Sequence, residues 1–265
     1  MTITLLLWVA MGTGFIFLMT CLGSAVVFFF KNQVTNDIVL TIALGFAAGI
    51  MIAASVFGLL IPSIDEASNS GMTSWLPAAG GFILGVFFLF GLDKIIPHLH
   101  PVNNVTEGIS TSLKRTSLLV SAVTLHNIPE GIAVGLSFAL AAQHPENQTF
   151  LLSAMALALG IGIQNFPEGA AVSLPLRKEG MSTTKSFFLG CASGAVEPIF
   201  GFITIFFAGL IFPIMPWLLS FAAGCMLYVV VEELIPEAHL GEHSNVGTLA
   251  VMAGFVVMMV LDIAL

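Results

Sequence analysis

Two short polar segments interrupt the apolar middle of the sequence, and both carry side chains that could bind a metal ion. The first is LHNIPEG at residues 125–131, and the second is IQNFPEG at residues 163–169. Because side chains three and four residues apart share one face of an α-helix, the polar groups of each segment converge on one side of its helix. Mixed imidazole, carboxylate and amide groups suit divalent zinc, iron, manganese or cobalt. The candidate ligands are His126, Asn127, Glu130, Gln164, Asn165 and Glu168.

A third acid, Glu197, extends this set of candidate ligands. It lies in GCASGAVEPIFG, residues 190–201, and like Glu130 and Glu168 it is adjacent to a proline. Basic residues are absent from the interior of the apolar runs that hold these acids, and an uncompensated charge at the bilayer centre costs about 3 kcal/mol. A divalent cation shared by the carboxylates would remove that cost. For each residue taken alone, a hydrogen bond at a kinked helix is the alternative interpretation.

The elements that position these residues are predicted to be membrane helices. Hydrophobic residues make up 57% of the chain, charged residues make up 8%, and the mean hydropathy is +1.04. A soluble domain carries about 25% charged residues, and a β-barrel would show short alternating segments. The net charge of −8 includes acids inside apolar runs, and no basic stretch indicates nucleic-acid binding. The three scattered cysteines predict neither a disulfide framework nor a thiolate metal site.

Polar breaks divide the chain into eight candidate transmembrane helices within a single domain, residues 1–265. About 20 apolar residues are enough for a helix to cross the hydrocarbon layer. The expected fold class is therefore an all-α membrane protein. The predicted spans, numbered 1 to 8, are residues 3–30, 38–62, 75–96, 114–142, 150–175, 186–212, 217–237 and 247–265.

The basic residues determine the predicted orientation. All seven lie at the first, third or fifth break between spans, and none lies at the second, fourth or sixth. The positive-inside rule places the basic breaks in the cytoplasm, so both termini are predicted to lie outside. The seven residues are Lys31, Lys94, Lys114, Arg115, Arg177, Lys178 and Lys185.

Paired motifs indicate an inverted internal repeat. LLIPSIDEA closes span 2 and EELIPEA closes span 7, in opposite orientations, and the two PEG segments also lie on oppositely oriented spans. Such pairs are typical of transporters that bind their substrates near the bilayer midplane. For the two segments that contain LIP, a chance match between short apolar sequences is the alternative.

At these residues the chain resembles the ZIP (Zrt-/Irt-like) family of metal-ion transporters. HNIPEG in span 4 and QNFPEG in span 5 match the two signature metal-binding helices of that family. Gln164 and the run EELIPEAH are most similar to the GufA-type bacterial branch. The resemblance implies a multi-pass protein of the cell membrane, the inner membrane in a bacterium, with spans 1, 4, 5 and 6 shifting against the others during transport.

The resemblance also implies a binuclear metal site. One metal would be held by the set His126, Glu130, Gln164 and Glu168. The second would be held by the set Asn127, Glu130, Asn165, Glu168 and Glu197, with Glu130 and Glu168 bridging. Some relatives carry His at the position of Gln164 and Asp at that of Asn165, so the second metal is expected to bind weakly or to serve a supporting role.

Further acids and histidines could form the transport pathway at both faces of the membrane. Asp65 and Glu66 lie just past span 2 on the outer side, and Glu233, Glu237 and His239 lie near the inner end of span 7. Solvated surface residues are the alternative for both groups. His98 and His100 could bind metal in the third break, or could belong to an ordinary interfacial loop.

The function predicted from these patterns is transport of a divalent metal cation into the cytoplasm. Zinc is the leading substrate, and iron, manganese, cobalt and cadmium are further candidates. The expected partners are metal ions, the lipid bilayer and a second copy in a homodimer. An enzyme is not expected, since no HExxH-type protease motif occurs. The alternative is a proton-coupled carrier of a small organic solute that uses Glu130 and Glu168 for proton transfer.

Overall fold

The structure is a bundle of long helices that follow the predicted spans. The computed structural model describes residues 3–29, 37–96, 98–100, 105–107, 115–238 and 245–264. Four spans are continuous α-helices: span 3 at Trp75–Ile95, span 4 at Arg115–Gln143, span 5 at Gln148–Lys178 and span 8 at Val246–Ala264. Span 1 is the helix Ile3–Ser24, extended by a 3-10 turn at Ala25–Phe28.

The other three spans combine several helical segments. Span 2 consists of Asp37–Ala53, a π-helical segment at Ala54–Leu60 and Ile61–Asn69. Span 6 consists of Thr183–Gly194, Val196–Phe206 and Ala208–Ile211, followed by a 3-10 turn at Phe212–Ile214. Span 7 consists of Met215–Val229, a π-helical segment at Val230–Leu234 and Ile235–Ala238.

The all-α membrane fold class is confirmed, with one small exception. Among the described residues, seven helices are long and apolar enough to cross a membrane. Span 4 is not one of the seven, although its helix has 29 residues. The exception to the all-α class is a pair of three-residue antiparallel strands, His98–His100 and Val105–Glu107, in the third break.

Spans 2 and 7 share a structural irregularity that relates them as repeats. In each, a π-helical segment ends at the leucine of the LIP motif, Leu60 or Leu234, and the chain continues as an α-helix from the following isoleucine. Proline lacks an N–H and clashes with the carbonyl four residues earlier, which lies inside the π segment in both spans. This shared geometry supports the inverted repeat indicated by the sequence.

Span 6 is discontinuous at Ala195, next to one of the candidate ligands. The helix Thr183–Gly194 ends there, and Glu197 lies in the first turn of the segment Val196–Phe206. Pro198 cannot donate a hydrogen bond to the carbonyl of Gly194, which explains the break at this position. A carboxylate in the first turn of a helix is stabilised by the helix dipole.

The spans associate in two groups. Spans 1, 4, 5 and 6 contact one another extensively, and spans 2, 3, 7 and 8 form the second group through the close pairs 2 with 8 and 3 with 7. Between the groups, span 5 contacts span 2, and span 4 contacts span 7. We call the first set the transport group and the second the scaffold group.

Contacts between helix backbones lie within the groups. In the transport group, Gly131 lies against the carbonyl of Glu197, and in the scaffold group, Gly49 lies against the carbonyl of Val251. At the seam between the groups, Gly58 and Gly160 instead face the side chains of Leu157 and Met258. A side chain can change its rotamer, whereas a backbone contact holds two helices at a fixed distance.

Polar contacts place the breaks after spans 2, 4 and 6 at one end of the bundle. Glu66 at the end of span 2 bonds His144 in the break after span 4. Ser63 donates a hydrogen bond to the carbonyl of Pro216 in the break after span 6, at 2.6 Å. None of these three breaks carries a basic residue, so their shared location agrees with the orientation predicted from charge.

Candidate metal site

The seven candidate ligands come together inside the transport group. None has more than 8% of its surface exposed. Span 4 supplies His126, Asn127 and Glu130, span 5 supplies Gln164, Asn165 and Glu168, and span 6 supplies Glu197.

Glu130 lies at the centre of this group of side chains. Its Oε1 accepts a hydrogen bond of 2.7 Å from Nε2 of Gln164, which joins spans 4 and 5. The carboxylates of Glu168 and Glu197 both lie near enough to repel it electrostatically. Three carboxylates from three helices therefore lie within electrostatic range of one another.

Glu197 is oriented by donors from two other spans. Its Oε1 accepts hydrogen bonds from Nδ2 of Asn165 at 3.0 Å and from Oγ1 of Thr20 at 3.1 Å. Both bonds use the same oxygen, so Oε2 is left for another partner. Groups that hold a ligand in this way commonly tune a metal site.

Asn127 connects span 4 to the break in span 6. Its Nδ2 donates a hydrogen bond of 3.0 Å to the backbone carbonyl of Ser193, just before the discontinuity at Ala195. The amide nitrogen is therefore used for structure, and Oδ1 remains available as a ligand.

Buried oxygens without partners concentrate at the site. Buried polar atoms in proteins nearly always have a hydrogen-bond partner, so exceptions call for an explanation. Six of the seven candidate ligands each carry one buried side-chain oxygen that has no hydrogen-bond partner. These atoms are Asn127 Oδ1, Glu130 Oε2, Gln164 Oε1, Asn165 Oδ1, Glu168 Oε2 and Glu197 Oε2. Amide and carboxylate oxygens can all coordinate a cation, so the donor set fits a metal ion.

The arrangement relies on amides as well as acids. Within the described part of the chain, no three His, Cys, Asp or Glu side chains stand in a metal-binding arrangement on their own. Two of the carboxylates are instead held by amide donors from Gln164 and Asn165. A cation at this position would therefore need amide oxygens in its coordination shell.

His126 joins the site to the C-terminal part of span 7. Its Nε2 lies 2.6 Å from Oε1 of Glu233, and both side chains are buried. Asp93, near the C-terminal end of span 3, accepts a hydrogen bond of 2.6 Å from the hydroxyl of Tyr228 on span 7 and interacts electrostatically with His126. Nothing in the sequence around Asp93 marks it as a site residue, because only the contact with span 7 places it beside the site.

Among the side chains that the structure describes, it does not bring the other residues predicted for the transport pathway into contact with the site. Asp65 and Glu66 lie inside the helix Ile61–Asn69, so their placement in a break past span 2 was wrong. Asp65 is exposed, whereas Glu66 is buried. Glu237 lies in the helix Ile235–Ala238, but its side chain is not among those described, and His239 lies outside the described residues.

The two histidines of the third break lie on the first of the short strands. His98 pairs with Glu107 and His100 pairs with Val105. Their side chains are not described, so metal binding by this strand remains a prediction.

Eight spans that enclose a buried group of acids, amides and one imidazole are the architecture of a multi-pass membrane protein. The ZIP zinc transporter family matches residues 103–262 of the chain. The human zinc transporter ZIP11 is 36% identical over 96% of both chains. The Myxococcus xanthus zinc transporter GufA is 38% identical over 79% of this chain and 80% of the relative. The Bordetella bronchiseptica zinc transporter ZIPB is 35% identical over 84% of this chain and 70% of the relative.

The chain belongs to the ZIP family. The resemblance identified from HNIPEG and QNFPEG is thereby confirmed, and relatives on the bacterial branch are among the matches. The matched relatives are membrane transporters and not enzymes.

Proposed function

We propose that the protein moves zinc across the membrane into the cytoplasm through the site formed by spans 4, 5 and 6. The observation that carries this proposal is the convergence of six buried side-chain oxygens that have no hydrogen-bond partner. A divalent cation would satisfy these oxygens and neutralise the carboxylates together. Similarity to zinc transporters supports zinc as the substrate.

The contacts support two adjacent metal positions. The first uses His126, Glu130, Gln164 and Glu168. The second uses Asn127, Glu130, Asn165, Glu168 and Glu197. Thr20 and Asn165 hold Glu197 through one carboxylate oxygen, so that the other can face a metal ion. The amide-rich second position is the weaker of the two.

Transport requires the site to face each side of the membrane in turn. The transport group holds all seven ligands and contains backbone contacts such as the one between Gly131 and Glu197. Its seam with the scaffold group places Gly58 and Gly160 against side chains, which tolerate sliding. We infer that the transport group moves as one body against the scaffold group and carries the site with it.

The pair formed by His126 and Glu233 provides the inner step. Glu233 belongs to the scaffold group and bonds the imidazole that would hold the first metal. A metal ion leaving towards the cytoplasm can pass from His126 to Glu233. Once the ion has left, the imidazole of His126 can again bond the carboxylate of Glu233. Glu237 and His239 would extend this path.

Other divalent ions and a dimeric assembly belong to the same proposal. Iron, manganese, cobalt and cadmium accept mixed nitrogen and oxygen ligands, so the site does not exclude them. Apolar side chains such as Phe87 and Leu84 on span 3 are exposed, so they would face lipid, and a homodimer would bury part of this kind of surface.

Zinc uptake into proteoliposomes tests the proposed function. We expect wild-type protein to fill vesicles that contain a zinc-sensitive dye, and His126→Ala to reduce the initial rate by at least about tenfold, because it removes the only imidazole ligand. Chelation of external zinc should stop uptake. Equal uptake by wild type and His126→Ala would contradict the proposed site.

The same vesicles distinguish the rival function. A proton-coupled carrier of an organic solute would show proton movement that chelators do not affect, and no zinc-dependent dye signal. The rival leaves the unpartnered amide oxygens at Gln164 and Asn165 without a purpose, because an amide oxygen does not take part in proton release.

A further inference from the structure

One face of span 4 carries a column of polar residues beyond the metal site, and His144, the first residue after the helix, continues the same spacing. His126, Glu130, Ser137 and His144 are separated by intervals of four, seven and seven positions. At 3.6 residues per turn these intervals return to nearly the same face, and His126 and His144 are about five turns apart. The column therefore continues from the site towards the end of the bundle where the breaks after spans 2, 4 and 6 lie.

Ser137 is the buried intermediate point of this column. The hydroxyls of Ser55, Thr13 and Thr204, on other spans, bond the carbonyl four residues earlier in their own helices. The hydroxyl of Ser137 is buried and has no partner. This unpaired group lies about two turns beyond Glu130 on the same face, where an ion approaching the site would pass.

His144 closes the far end of the column. Its Nε2 lies 3.0 Å from Oε2 of Glu66, and its ring stacks on Phe150 with centroids 4.7 Å apart. Its Nδ1 lies 3.6 Å from Glu146, whose side chain is 73% exposed. Stacking on span 5 holds the imidazole towards Glu66, which is the partner on the scaffold group.

We propose that the pair of Glu66 and His144 is a latch, the outer latch, that ties the transport group to the scaffold group and closes the column above Ser137. Glu66 belongs to span 2 and His144 follows span 4, so any sliding between the groups must break this pair. The latch rests on the proposed motion of the two groups. It adds a residue pair that sets how often the site opens to the outside.

The geometry favours a latch over a further metal site. Nε2 of His144 faces the carboxylate of Glu66, and Nδ1 faces the carboxylate of Glu146. One metal ion cannot use both nitrogens of one imidazole. An ion pair that spans a moving seam is the simpler role for this cluster.

Thiol labelling of Ser137→Cys tests the latch. The variant is made after replacing Cys21, Cys191 and Cys225 with alanine, and an impermeant methanethiosulfonate reagent is applied to intact cells. We expect slow labelling with the latch intact, and labelling at least roughly fivefold faster with Glu66→Gln or His144→Gln. Exchange of the two residues, Glu66→His with His144→Glu, should restore slow labelling.

Glu146→Gln is the matched control, because it changes a carboxylate that faces His144 from the exposed side. Its labelling rate should equal that of the parent. Equal rates for Glu66→Gln and the parent would overturn the latch, as would a Glu146→Gln rate as fast as that of Glu66→Gln. These rates are measured without metal, so a failed latch is distinguishable from a failure of the proposed function, which would appear as absent zinc uptake by the wild type.

Discussion

Replacing Glu130 with glutamine should reduce zinc uptake by about 100-fold or more. Glu130 interacts electrostatically with both Glu168 and Glu197 and is one of the two carboxylates that the proposed metal positions share. Glutamine keeps the shape and can still accept the hydrogen bond from Gln164, so the helices should associate as before. The loss would therefore report the missing charge, and initial uptake rates in proteoliposomes measure it.

Glu146→Gln provides the control for this experiment. It makes the same chemical change at a side chain that is 73% exposed and lies in the break after span 4. We expect uptake close to that of the wild type. Glu130→Gln uptake within about twofold of the wild type would show that a bridging charge is unnecessary, and the site assignment would be wrong.

Replacing Gly131 with alanine should disrupt the site through the backbone. A methyl group there would overlap the carbonyl of Glu197, so spans 4 and 6 would have to separate. Overlap of this kind typically costs about 1–3 kcal/mol, and it would displace both Glu130 and Glu197. We expect at least about tenfold slower zinc uptake together with a lower melting temperature in detergent.

Gly14→Ala is the matched control for Gly131→Ala. Gly14 lies in the helix of span 1 and has no atom within 4 Å of the position where a Cβ would stand. Alanine has the higher helix propensity, so this variant should retain its stability and its uptake. Wild-type behaviour of Gly131→Ala would contradict the close contact between spans 4 and 6.

The residues that gather at the metal site were predictable because their pattern is local. HNIPEG and QNFPEG place polar groups at helical spacing within single spans, and the structure buries all of them together. Glu197 was recognisable as an acid in an apolar run without a basic partner. The sequence could not indicate that His126 bonds Glu233, since that contact depends on how two distant spans meet.

The sequence does not single out His144 or Asp93, for the same physical reason. Each acquires its role from a partner on another span, Glu66 for His144 and Tyr228 for Asp93. One local signal was available for His144, namely its interval of five helical turns from His126. No comparable interval marks Asp93.

The irregular helical segments were likewise only partly predictable from the sequence. The two LIP motifs indicated that the ends of spans 2 and 7 correspond, but not that each would contain a π-helical segment. The helix Ile61–Asn69 also continues past the predicted end of span 2. Helix ends at a membrane surface depend on capping and on neighbouring loops, which hydropathy does not report.

Anomalous X-ray diffraction at the zinc absorption edge, from crystals grown with zinc, tests the central claim most directly. We expect a strong anomalous peak within coordinating distance of both Glu130 and Glu168, with a weaker second peak nearer Glu197. A structure whose zinc lies elsewhere, with those carboxylates turned apart or towards lipid, would contradict it.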